Sequence, residues 1–204
     1  MSKQKIIIEA PMGEKTVLLH TCCAPCSSAI IEAMMAAGIT PVIYYCNPNI
    51  YPQEEYEIRK NECTRYAESL GLEIVDADYD HENWLECVKG LENEPERGGR
   101  CLKCFKMRLL RTAEYAVSRG IKVITSTLAS SRWKSLDQIN EAGNWACEQM
   151  QLHSLSDMAP VYWAHNWKKG GLQERRLQII REYDFYNQLY CGCEFSIRKE
   201  DQSQ

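Results

Sequence analysis

Residues 16–46 read TVLLHTCCAPCSSAIIEAMMAAGITPVIYYC, and this stretch decides the fold. Its first six residues form a short, largely apolar run of the kind that makes a strand buried on both faces. Residues 27–37 (SSAIIEAMMAA) have the composition of a helix and stop at Gly38, a residue that closes helices readily. Residues 41–46 start a second apolar run at once. A strand, a helix and a second strand in so short a span make a βαβ unit, which implies a parallel pair joined by a right-handed crossover.

Outward from this unit the alternation continues. The turn-rich CNPNIYP leads into a helix over residues 53–70, with Tyr56, Cys63, Tyr66, Ala67 and Leu70 on one face. Gly71 ends it. Residues 72–77 read as a third strand, 81–91 as a short acidic helix, 102–118 as a basic amphipathic helix stopped by Gly120, and 121–127 as a fourth strand. A helix is expected from Lys134 to Met150 and another from 172 to about 186, while residues 161–163 fit no single pattern. The expectation is one α/β domain over residues 1–204, with a twisted parallel sheet flanked by helices and a helical C-terminal part. Ligands of such sheets bind outside the carboxyl ends of the strands. That places the first cysteine cluster and the hydroxyls of Ser126, Thr127, Ser130 and Ser131 at the expected site.

The chain has 204 residues, 45% apolar and 25% charged, which suits a folded domain with a sizeable core and excludes disordered or fibrous classes. No apolar run approaches the roughly 20 residues of a membrane span, and the opening MSKQK lacks a signal-peptide pattern. A cytoplasmic protein without a membrane partner is therefore expected. Net charge is −4, but it is unevenly spread: residues 48–96 hold fourteen acidic against four basic side chains, and residues 97–122 hold eight basic against Glu114 alone. With Arg132, Lys134, Lys168, Lys169, Arg175 and Arg176, the basic run either meets phosphates or is a solvated helix face.

Eleven cysteines are the compositional outlier. An odd number in a reducing compartment argues for metal ligation or redox chemistry rather than a disulfide framework. HTCCAPCS (20–27) stands before a helix, where free N–H groups and the dipole favour thiolates. RCLKCFKM (100–107) is a C-x-x-C opening another helix, suited to a redox pair or to chelation. Cys22, Cys23, Cys101 and Cys104 together offer four sulfurs, a soft set that selects zinc or an iron–sulfur cluster over hard cations. The 78 residues between the pairs fit poorly with a zinc ribbon. In YCGCEFS (190–196) the sulfurs of Cys191 and Cys193 meet only in a small strained ring, which favours a redox role over a structural one. Cys46, Cys63, Cys87 and Cys147 read as packing residues, and Cys26 is left open.

HTCCAPCS (20–27), RCLKCFKMRL (100–109), TSTLASSRWKSLDQI (125–139) and YNQLYCGCEFS (186–196) resemble, in order and wording, the epoxyqueuosine reductase family QueH, over residues 15–198. The framework, including NPNIYPQEEYEIR, is also similar to the nucleotide-alpha-hydrolase type of fold, a Rossmann-like arrangement used by ATP pyrophosphatases acting on tRNA. Their Ser-Gly-Gly-x-Asp-Ser phosphate loop is missing, which argues against ATP use. The resemblance implies a cytoplasmic iron–sulfur oxidoreductase that removes the epoxide oxygen of epoxyqueuosine in tRNA. It implies a [4Fe–4S] cluster on Cys22, Cys23, Cys101 and Cys104, a redox-active pair at Cys191 and Cys193, and an external electron donor.

Such a reaction needs two electrons and two protons. The Cys191/Cys193 dithiol would supply or relay the electron pair; alternatively, Cys26 with one or both of those thiols would hold an additional mononuclear metal acting as a Lewis acid. Tyr190, Glu194, Asp184 and His20 are proton-donor candidates by position. Lys103, Lys106, Arg108, Arg111, Arg132 and Lys134 would meet phosphates, and Trp133, Trp163, Trp167 or Tyr51 would stack the base unless they are core. Two rival readings are a zinc-stabilised nucleic-acid-binding module without catalysis and a thiol-based sulfur carrier.

Overall fold

The computed structural model describes residues 8–152 and 158–197; the opening MSKQK and Arg198, the last residue of the family-like span, lie outside the described residues. Among the described residues five strands run β1 Thr16–Thr21, β2 Thr40–Tyr45, β3 Ile74–Asp76, β4 Val123–Ser126 and β5 Val161–Tyr162. All pair in parallel, in the order β3-β2-β1-β4-β5. The stretch whose type the pattern left open thus completes the sheet as its edge strand. The α-helices that accompany them are α1 Ala24–Ala36, α2 Gln53–Ser69, α3 His81–Val88, α4 Gly99–Arg119, α5 Leu136–Leu152 and α6 Leu172–Glu182.

β1 is central because its side chains are apolar on both faces. Val17, Leu18 and Leu19 are fully buried, and Leu18 sits between Val42 of β2 and Ile124 of β4. Burying one such side chain stabilises the fold by about 1.5–3 kcal/mol. α1 packs against α2 and α6 in one layer, and α4 packs against α3 and α5 in the other. On α2 the expected apolar face is buried at Tyr56, Cys63, Tyr66 and Ala67, joined by the polar pair Glu55 and Arg59. α4 ends at Gly120, whose φ of +65° lets the chain turn back into β4.

Two helices begin earlier than their composition indicates. α1 starts at Ala24, with Cys26 in its first turn, because the Cys23 carbonyl receives the amides of Cys26 and Ser27 at 3.2 Å. α4 starts at Gly99, so Cys101 and Cys104 lie within the helix. Both cysteine turns are therefore helix N-termini seated at the strand ends. The basic run of α4 is not one patch: Arg100 and Arg108 are buried, while Lys106, Arg111 and Arg119 pair with Glu141, Asp80 and Glu73. Among the described residues, no helix is long and apolar enough to cross a membrane.

Candidate metal centre and active-site cavity

The first cysteine turn hangs from the end of β1. Cys22 donates its amide to Thr127 Oγ1 at 3.1 Å, and the same hydroxyl lies 3.4 Å from the Cys22 sulfur. Cys23 takes extended backbone and caps α1 through its carbonyl rather than its side chain. The sulfurs of Cys22, Cys23 and Cys26 all lie within 4.8 Å of one another, a grouping able to hold a metal ion. Three thiols so close share charge. Cys22 is held well below the usual thiol range because Cys23 and Cys26 hydrogen-bond to it, whereas Cys23 is raised and Cys26 is pushed up to about 11 for the same reason. Gln188 Nε2 donates to the Cys23 sulfur at 3.1 Å.

The second turn is fixed by Arg100, whose guanidinium donates to the carbonyls of Glu92 and Glu94, both at 2.6 Å. Cys101 Sγ accepts the Arg97 amide at 3.3 Å. Cys104 is buried beside Trp84, and burial raises both the Cys101 and the Cys104 thiol.

In the third cysteine segment Cys191 and Cys193 lie outside any strand or α-helix, and only the short 3-10 turn Glu194–Ser196 follows them. The segment is strapped down instead. Arg59 donates to the carbonyls of Tyr190 and Cys191 at 3.3 Å, and Tyr51 donates its amide to the Gly192 carbonyl at 2.8 Å. Arg59 is itself held by Glu55 at 2.7 Å, and Glu55 accepts from the Tyr186 hydroxyl at 2.7 Å. Gly192 has φ +113°, and a Cβ there would come within 2.9 Å of Ile50 and 3.0 Å of Arg59. Cys193 is buried and pushed up to about 12. All eleven cysteines are free thiols.

These segments meet at the carboxyl end of the sheet around a cavity of about 780 Å³. Cys22, Cys26, Cys101 and Cys191 line it, with Arg97, Arg132, Lys134, Lys168 and Arg176 among its cations. A small adjoining cavity is lined by Cys101, Cys104, Cys191 and Cys193 together with Trp84, Arg100 and Arg108. Among the described residues, the only close group of three metal-ligand atoms is Cys22, Cys23 and Cys26. Cys101 shares the large cavity with that group, and Cys104 lines the small one.

The other expected residues divide sharply. Ser130, Ser131, Arg132, Lys134, Tyr190 and Trp133, the last 57% exposed, line the large cavity. Trp163 and Trp167 are core, the latter 0% exposed, and Tyr51 lies beside His81 away from the cavity lining. His20 is buried, bonded to Ser126 and near the Cys46 carbonyl, with its pKa lowered to about 3 by burial and then by Arg108; an imidazole so neutral is a poor proton donor. Glu194 pairs with His81 at 3.1 Å, and Asp184 is exposed. Cys46, Cys63 and Cys147 are buried, as packing residues would be, and Cys87 is half-buried. Sequence reasoning missed Arg59 and Gln188. An arginine three residues after Tyr56, inside an otherwise apolar helix face, was the readable signal for the first.

A parallel, Rossmann-like sheet carrying crowded thiols beneath a cation-rimmed cavity defines a thiol centre of the metal-binding or redox kind. The family profile described as epoxyqueuosine reductase QueH matches residues 17–199. The chain belongs to that family. It is 49% identical over 191 residues to the epoxyqueuosine reductase QueH of Histophilus somni, covering 94% of this chain and 76% of that protein. It is 48% identical to the protein of the same name from Haemophilus influenzae, with 94% and 75% covered, and 45% identical to that of Acinetobacter baylyi, with 97% and 88% covered.

Proposed function

We propose that this protein is an epoxyqueuosine reductase acting on tRNA: it removes the epoxide oxygen as water and leaves a carbon–carbon double bond. The observation that carries this reading is the single cavity in which cysteines from three separate segments face a cationic rim. The names of the relatives support the substrate.

Cys22, Cys23, Cys101 and Cys104 would hold a [4Fe–4S] cluster. The donor set suits it, being all sulfur, with two of the four already within 4.8 Å of each other and Cys101 on the same cavity. When bound, such a cluster supplies single electrons. The protein's own residues account for the rest of the balance. Oxidation of the Cys191/Cys193 dithiol to a disulfide releases two electrons and two protons, the same number that converting an epoxide to an alkene and water consumes. An external electron donor then reopens the disulfide. Burial keeps Cys193 protonated between turnovers. Arg132, Lys134, Lys168 and Arg176 on the large cavity bind the tRNA backbone, and Trp133 stacks a splayed base. The chain works as one α/β unit in the cytoplasm.

A second reading of the same cysteines rests on Cys26, a third sulfur beside Cys22 and Cys23. With Cys191 or Cys193 or both, Cys26 would hold an additional mononuclear metal near the cluster.

Anaerobically reduced protein incubated with epoxyqueuosine-containing tRNA should yield a nucleoside lighter by one oxygen. The purified protein should be brown and carry about four irons per chain. Colourless protein with stoichiometric zinc and no change in nucleoside mass would overturn the reading in favour of a binding module.

A further inference from the structure

Arg108 stands in the middle of α4, 2% exposed, and lines both cavities. Its Nε donates to the Cys46 carbonyl at 3.0 Å and lies 3.3 Å from His20 Nε2, and one terminal nitrogen donates to Asn47 Oδ1. All three acceptors are uncharged. Arg100, equally buried on the small cavity, donates to backbone carbonyls and lies over the Phe195 ring, again without a charged partner. Among the described residues, neither guanidinium has a carboxylate within 4.0 Å, whereas the third buried arginine, Arg59, is paired with Glu55. A buried charge without a counter-charge is strongly disfavoured, so the place of the missing anion matters. The ionisable groups facing both arginines across the small cavity are Cys101, Cys104, Cys191 and Cys193.

We infer that Arg108, with Arg100, is the built-in counter-charge of an anionic sulfur centre, and that Arg108 sets how readily this centre accepts an electron. The inference deepens the iron–sulfur reading above and rests on it. Adding one electron to the centre makes it one unit more negative while no bond forms or breaks. A fixed positive charge in a low-dielectric site favours that step. Arg108 is thus a positioning residue acting through the electrostatics of the sulfurs.

The test compares wild type, Arg108→Lys and Arg108→Met after anaerobic reconstitution, with iron counted and the midpoint read by redox titration of the visible absorbance. Arg108→Met should retain its iron and show, at the wild-type midpoint, at least a tenfold lower ratio of reduced to oxidised centre, equivalent to about 59 mV for one electron. Arg108→Lys, which keeps the charge, should stay within threefold. An unmoved midpoint in a fully loaded Arg108→Met protein overturns the inference. So does an equal shift in both variants, since shape rather than charge would then be responsible. Iron-free wild type would sink the cluster reading instead; cobalt(II) titration of the thiols then decides, with a tenfold weaker affinity in Arg108→Met alone supporting the counter-charge role and equal affinities overturning it. If Arg108→Met does not fold, Arg108→Gln, which keeps an amide donor in the same place, replaces it in both measurements.

Discussion

The turn at Cys22 and Cys23 and the loop at Cys191 and Cys193 are both closely spaced cysteine pairs, each with one sulfur-bearing residue on the large cavity, yet they are supported in opposite ways. The first grows out of the central strand: Thr21 is the last residue of β1, Cys23 caps α1, and Thr127 from the end of β4 fixes Cys22. The second owes its place to Arg59, the Tyr51 amide and the φ of Gly192. Strand ends in a packed sheet open only with the whole fold, whereas a strap of a few hydrogen bonds opens locally. The difference teaches a division of labour: the rigid turn suits holding an inorganic group at constant geometry, and the strapped loop suits a pair of thiols that must move between dithiol and disulfide.

Exchanging single cysteines should break this comparison most visibly. Cys22→Ser is expected to abolish both the bound iron and turnover. Cys191→Ser and Cys193→Ser should leave iron at the wild-type level and still abolish turnover, as measured by iron assay and nucleoside mass. Iron loss in the Cys193→Ser protein would show that the two regions hold one common group.

Next in size is the strap. Arg59→Met leaves Glu55 buried without its partner, which should cost about 3 kcal/mol, or roughly 6–12 °C in Tm for a chain of this length. The same variant frees the Cys191 carbonyl. Proteolysis should then cut near residues 186–196 in the variant before it cuts the wild type, while iron content holds. Uniform protection of that segment would show that the strap does not depend on Arg59.

The two regions were not equally legible in the sequence. Residues 16–46 disclosed their strand, turn and helix because apolar period and Gly38 carry that information locally, and the parallel sheet followed. What local pattern cannot disclose is depth. Arg108 reads as one member of a basic helix and lies beneath the cavity, and Trp163 and Trp167 read as stacking candidates and lie in the core. The grouping of Cys26 with Cys22 and Cys23 depends on α1 starting at Ala24, which is set by the carbonyl of Cys23 and helped by Pro25 in the first turn. Arg59 is linked to residues more than 130 positions away, a separation that periodicity does not span.

Gly192→Ala probes the strap without removing a charge. A non-glycine residue at φ +113° is strained by about 1–3 kcal/mol, and its Cβ would press on Ile50 and Arg59. The expected result is a Tm lower by a few degrees and slower turnover with full iron. A wild-type rate would show that the loop tolerates displacement and that its thiols need no fixed approach to the cavity.

The smallest effect belongs to a direct link between the two regions, the bond from Gln188 Nε2 to the Cys23 sulfur. Its loss in Gln188→Ala costs about 0.5–1.5 kcal/mol, partly offset because Gln188 Oε1 is buried without a partner and disappears with it. If the turn and the strap are independent, this variant should keep its iron and melt within a few degrees of wild type, with turnover reduced by less than tenfold. Loss of iron from Gln188→Ala would mean that the strapped loop helps to assemble the first cysteine turn. The pair at 191 and 193 would then be a structural partner of the metal site as well as its source of electrons.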